Sequence, residues 1–83
     1  MRIRLKLFAS LEDHLPAGAR DNIADIDVAD HSTPYQLIDA HHIPRESAHL
    51  VLLNGVYVVP EQRDQPVLKE GDVLAIWPPV AGG

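Results

Sequence analysis

The sequence predicts an α+β domain: a mixed sheet with one main helix packed across a single face. Three observations lead there. The chain opens on strict apolar alternation, a capped helix start stands near its middle, and an Asn-Gly hairpin is followed by a last apolar run closed by two prolines.

In the opening segment Ile3, Leu5 and Leu7 point one way, and Arg2, Arg4, Lys6 and Phe8 the other. Alternation of that kind marks a strand with one buried face. Ser10 is expected to cap a short helical turn from Leu11 to Leu15, stopped near Pro16, before a turn at Ala17-Gly18. Ile23, Ala24, Ile26 and Val28, with Asp25 and Asp27 between them, make a weaker strand. Thr33-Pro34-Tyr35-Gln36 combines an N-cap, a proline at the first helical position and a glutamine able to close a capping box. The helix it starts carries Leu37 and Ile38, has His41 and His42 in its last turn, and is expected to end at Pro44. Two apolar runs, 50–53 and 56–59, flank Asn54-Gly55, the dipeptide that tolerates positive φ at both centres of a type I′ turn. Pro60 ends the second run, and residues 61–68 are polar and read as irregular. Lys69-Glu70-Gly71-Asp72 is a turn into a final strand, Val73 to Trp77, halted by Pro78-Pro79.

Composition narrows the function. At 83 residues the chain holds one small domain, whose modest core leaves little room for an enclosed active site. It has no cysteine, so disulfides, thiolate nucleophiles and thiolate metal sites are excluded together, consistent with a reducing compartment. A formal charge of −5 argues against nucleic acid as a partner, because phosphate binding needs clustered Lys and Arg. No apolar run approaches the ~20 residues that span a bilayer, and the charged residues among the first six interrupt any signal-peptide core. The expectation is a cytoplasmic protein with no membrane partner.

Attention therefore falls on the end of the sequence. Val80-Ala81-Gly82-Gly83 follows a strand and a diproline that favours extended geometry, so a domain over residues 1–79 and a flexible tail over 80–83 are expected. At ~3.3 Å per residue the tail reaches ~13 Å. Two glycines without Cβ atoms can enter a channel too narrow for any other residue.

The segment Leu68 to Gly83, with Gly71-Asp72 and the ending Pro78-Pro79-Val80-Ala81-Gly82-Gly83, resembles the C-terminus of the MoaD/ThiS family of ubiquitin-like sulfur carriers. Leu7-Phe8-Ala9 and the order of helix and hairpin resemble the same family. The diproline brings the ending nearer to the molybdopterin synthase small subunit than to the thiamine-pathway carrier. The resemblance implies a β-grasp fold, with a mixed sheet of about five strands, one main helix across one face and a short helix after the first strand. It also implies a chemistry. An E1-like adenylating enzyme, using ATP and Mg2+, activates the carboxylate of Gly83, with Gly82 its slender neighbour. A sulfur-donating enzyme converts the acyl-adenylate to a thiocarboxylate. The large subunit of molybdopterin synthase, or an equivalent acceptor enzyme, takes the sulfur. The residues matching Phe8, Tyr57 and Trp77, with the stretch Pro78, Pro79, Val80 and Ala81, are those implied to meet partner enzymes.

The residues themselves fit that chemistry. Without a thiol, the terminal carbonyl is the attachment point for sulfur. The glycines are isolated except at the tail, so no phosphate-binding loop is present and activation falls to a partner; the chain is expected to bind no cofactor of its own. Phe8, Tyr57 and Trp77 are expected to form an exposed apolar patch on the open sheet face. The alternative is that the three rings are core. The five histidines carry no metal-site spacing, and adjacent His41 and His42 splay by about 100° on a helix, so no metal is expected. Their place near a helix C-terminus has an electrostatic reason. The acidic residues read as a solvated surface able to steer the chain toward basic partners. Two other functions use the same tail: a carrier for thiamine thiazole, cysteine or another sulfurated metabolite, and a ubiquitin-like modifier that joins Gly83 to lysines.

Overall fold

The computed structural model describes residues 1–79. The opening alternation becomes strand β1, Arg2–Leu7, in which Ile3, Leu5 and Leu7 are fully buried while Arg2 and Arg4 stay in water. The remaining strands are β2 (Ile23–Asp27), β3 (Leu50–Leu53), β4 (Val56–Tyr57) and β5 (Val73–Trp77). They form one mixed sheet in the order β2-β1-β5-β3-β4. β1 and β5 run parallel, Leu5 beside Leu74 and Leu7 beside Ile76, and every other pairing is antiparallel. The two ends of the described chain thus lie side by side in the middle of the sheet.

Helix α1, Pro34–Ala40, crosses one face. Both bonds of the expected capping box are present: Gln36 N donates to Thr33 Oγ1 (3.1 Å) and Thr33 N to Gln36 Oε1 (2.8 Å). Leu37 and Ile38 point into the core with Ile3, Leu5, Leu7, Leu11, Val51, Leu74 and Ile76. Each such side chain, removed from water, contributes about 1.5–3 kcal/mol. The architecture is the α+β, β-grasp arrangement the sequence implied.

Four local expectations are corrected. Pro44 does not end α1; the helix stops at Ala40, with His41 as C-cap and His42 left-handed at φ 61°. His42 N donates to Asp39 O (3.0 Å) and Ile43 N to Ile38 O (3.1 Å), the paired bonds of a Schellman ending. The short helix is a 3-10 helix over Ala9–His14, and its N-cap is Phe8 with no side-chain bond. Ser10 therefore lies inside it: Ala9 takes φ 52°, which turns the chain one residue early and lets Leu11 N reach Phe8 O (3.1 Å). The hairpin turn is as expected, with Asn54 at φ 51° and Gly55 at φ 85°, but its second strand ends at Tyr57. Val58 N still bonds Val51 O (2.8 Å) before a 3-10 turn at Pro60–Gln62 bends the chain away. That turn takes up Glu61 and Gln62; residues 63–68 form no helix or strand, as expected, but Arg63 within them is buried rather than solvated.

Candidate functional site

The face of the sheet opposite α1 divides in two. Near the start of β1 it is charged: Arg4 Nε donates to Asp25 Oδ1 (2.9 Å), and Arg2 Nη1 to both carboxylate oxygens of Asp27 (3.1 Å). The hydrogen bond from Arg4 holds the Asp25 carboxyl below the usual carboxylate range, and Arg45 does the same to Asp39 on the far side of the molecule. Toward the end of β5 the face turns apolar. Strand register sets Lys6, Ala75, Leu52 and Tyr57 in one row, and places Leu50 beside Trp77 in the next.

Phe8 and Trp77 occupy that apolar end. Phe8 continues β1 past its last paired residue, its amide bonded to Ile76 O (3.1 Å). Its ring stacks on Trp77 with centroids 3.9 Å apart and planes 5° from parallel. Each ring covers one side of the other, which is why both are half-buried on an otherwise open face. Such a pair contributes about 0.5–1.5 kcal/mol beyond its burial. Tyr57, at 49%, is more exposed, and an apolar groove of 230 Å3 lined by Leu53, Val56, Val59 and Val67 runs beside it. The structure thus brings the three aromatic residues onto one face, Phe8 and Trp77 in contact and Tyr57 on the neighbouring strands.

Directly beyond Trp77 the chain leaves the sheet. Trp77 O accepts from His49 N (3.0 Å), Pro78 is half-buried and Pro79 exposed. Val80, Ala81, Gly82 and Gly83, the expected working tail, lie outside the described residues.

The sequence reading missed Arg63. It is 3% exposed, and its guanidinium donates to three backbone carbonyls: Val58 O (2.9 Å), Ala48 O (2.9 Å) and His49 O (3.3 Å). Nη2 also reaches Tyr57 Oη (3.4 Å), and Arg63 O accepts from Tyr35 N at the start of α1 (2.8 Å). One residue thereby ties together the segment entering β3 and the segment leaving β4 through its side chain, and the start of the helix through its main chain, beside the end of β5. No sequence signal flags it, because its partners are mainly main-chain oxygens.

Two of the five histidines serve the backbone. His14 Nδ1 is 3.1 Å from His41 O, and His41 Nδ1 is 2.8 Å from Leu37 O, so both close off the end of α1. Among the described residues no group of three or more His, Cys, Asp or Glu is placed to hold a metal ion. Asp72 shapes its turn, accepting from Lys69 N (2.8 Å) and Asn54 Nδ2 (2.9 Å). Among the described residues no helix is long and apolar enough to cross a membrane.

A five-stranded β-grasp sheet with one covering helix, an aromatic end to its open face and a chain that leaves from a central strand defines a small ubiquitin-like protein. The chain belongs to the ThiS family, whose model matches residues 6–83. No curated protein sequence matches it. Among solved structures it is similar to SAMP1 from Haloferax volcanii, at 28% identity and TM-score 0.65, with the whole of both chains covered. It is also similar to the HVO 2177 protein of the same organism, at 25% identity and TM-score 0.76, covering all of this chain and 87% of that one. A chain in the complex of subunits 1 and 2 of the molybdopterin-converting factor from Helicobacter pylori shares the fold, at 19% identity and TM-score 0.56 over the full length of both.

Proposed function

We propose that this chain is a cytoplasmic sulfur carrier that acts in molybdopterin synthesis through the carboxylate of Gly83. In the reaction an oxygen of that carboxylate attacks the α-phosphorus of ATP, held with Mg2+ by an E1-like adenylating enzyme, and pyrophosphate leaves. Sulfur at the hydrosulfide level, delivered by a sulfur-donating enzyme, adds to the acyl carbon and AMP leaves. The resulting thiocarboxylate enters the large subunit of molybdopterin synthase, which moves the sulfur onto its substrate. This chain is a protein co-substrate: it binds no nucleotide and supplies the acyl group.

The observation that carries the reading is the exit from the sheet. β5 is a central strand, so its end is held on both sides, by Phe8 N on Ile76 O (3.1 Å) and by His49 N on Trp77 O (3.0 Å). Pro78-Pro79 follows at once, and the family match continues through residue 83. A rigid base with a short side-chain-poor extension suits delivery of a chain end into another protein's catalytic centre. The Phe8, Tyr57 and Trp77 face, with Pro78, Pro79, Val80 and Ala81, is the surface this reading gives to the partners.

The test is intact-mass measurement after incubation with an E1-like adenylating enzyme, MgATP and a sulfur donor. The full chain should gain about 16 Da, sulfur for oxygen, and the chain lacking Gly83 should gain nothing while keeping its melting temperature. Lysine conjugates ending in Gly-Gly would instead support the modifier function. A full chain inert to activation overturns the proposal. Thiamine thiazole as the product, a second reading kept by the ThiS match, is separated by supplying the corresponding acceptor enzyme.

A further inference from the structure

Among the described residues Arg63 is a cation without a counter-ion. It is 3% exposed, and among the described residues no carboxylate pairs with it; each of its partners is a neutral oxygen. A buried guanidinium in that state projects its charge toward whatever polar group reaches the surface beside it. That group is Tyr57.

The hydrogen-bond inventory of the two side chains then fixes a direction. Arginine can only donate, so at Tyr57 Oη the phenol oxygen accepts from Arg63 Nη2 (3.4 Å). The phenol keeps its own hydrogen, and among the described residues no acceptor takes it. The guanidinium carbon stands 5.7 Å from the Tyr57 ring centroid, so ring and cation form one unit. Tyr57 is 49% exposed on the open face, in register with Leu52, Ala75 and Lys6. Arg63 also bonds His49 O (3.3 Å), and His49 N bonds Trp77 O (3.0 Å), which sets this unit one residue from the strand end where the tail leaves.

We infer that Tyr57 and Arg63 form a carboxylate-recognition point: the Tyr57 hydroxyl donates to an Asp or Glu side chain of the adenylating enzyme that activates the tail, and Arg63 supplies the positive field behind it. The patch as a whole offers the partner apolar contact. Tyr57 adds one directional donor backed by an uncompensated charge, in a chain whose net charge of −5 would otherwise repel acidic groups. The occupant is accordingly an anionic side chain at the edge of an apolar contact, since Val56 and Val59 are exposed hydrophobics beside Tyr57.

This inference rests on the carrier reading, and the experiment separates the two. The full chain is titrated calorimetrically against an E1-like adenylating enzyme, and ATP–pyrophosphate exchange is measured alongside. Tyr57→Phe keeps the ring and removes the hydroxyl. A hydrogen bond to a charged acceptor corresponds to about tenfold or more in affinity, so the variant should bind at least tenfold more weakly. A merely structural role would lower the melting temperature and leave the dissociation constant where it was. A loss under tenfold refutes the carboxylate contact while the carrier reading stands. Absence of both binding and exchange in the unaltered chain sinks the carrier reading itself, and this inference with it.

Discussion

Arg63→Met is the substitution that most directly probes how the candidate site is held. Methionine fills much of the space of the arginine stem, so the cavity left behind is small. What is lost is the donor set. Val58 O and Ala48 O each accept from the guanidinium at 2.9 Å, and neither carbonyl can be mutated away along with it. Leaving a buried acceptor unsatisfied costs about 1–3 kcal/mol, so the two together cost about 2–6. The variant no longer buries a charge, which returns part of that cost. A net destabilisation of about 3 kcal/mol is expected, a large share of the 5–15 typical of a whole domain. In urea, with a slope of about 1–1.5 kcal/mol per molar for a chain of this size, the midpoint should fall by about 2–3 M at unchanged slope. Arg63→Lys should rescue little, because one ammonium cannot span carbonyls on two strands. A loss below about 1 kcal/mol would show that these carbonyls find water as readily as guanidinium, and that Arg63 does not organise the end of the sheet.

Two further outcomes follow from the local geometry. Gly55→Ala places a Cβ at φ 85°, where steric space is open but the left-handed backbone is not, and should cost about 1–2 kcal/mol by chemical denaturation. Asp25 has its folded pKa depressed by Arg4, so its contribution is present above the unfolded value of about 3.9 and disappears as pH falls through the lower folded value. Asp25→Asn should therefore lose less stability than the parent chain between about pH 5 and pH 2, and the difference should shrink in high salt because the pair is exposed.

Much of this fold is legible in the sequence because its determinants are local. Ile3, Leu5 and Leu7 alternate in the chain and are buried in that order. Asn54-Gly55 announces its own backbone angles, and Thr33 and Gln36 carry both halves of a cap in four residues. What escapes reading is settled by tertiary partners. His42 turns left-handed to let Ile43 reach the core, and nothing in the run His41-His42-Ile43 distinguishes that from one more helical residue before Pro44. Ser10 is a good capping residue in isolation, but Phe8 is drawn on to Trp77, and the chain turns at Ala9 before Ser10 can serve. Arg63 stands among Glu61, Gln62, Asp64 and Gln65, where composition predicts solvent, and its burial depends on carbonyls contributed just before β3 and just after β4. For the site the same rule holds: the three aromatic residues and the diproline are visible as letters, while the stack, the buried cation and the face they share exist only once β5 has been inserted between β1 and β3.

That insertion has a consequence for how the protein comes into being. The first strand synthesised waits for the last, since Arg4 pairs with Val73 at nearly the opposite end of the chain. Until β5 emerges from the ribosome, β1 and β3 have no common neighbour and the sheet remains two unconnected pieces, a topology rich in distant contacts that slows folding. Completion of the domain and delivery of the residues that follow it are therefore nearly one event. A chain terminated before Val73 would lack its central strand and leave the edges of β1 and β3 unpaired, the kind of incompletely folded species that proteases remove.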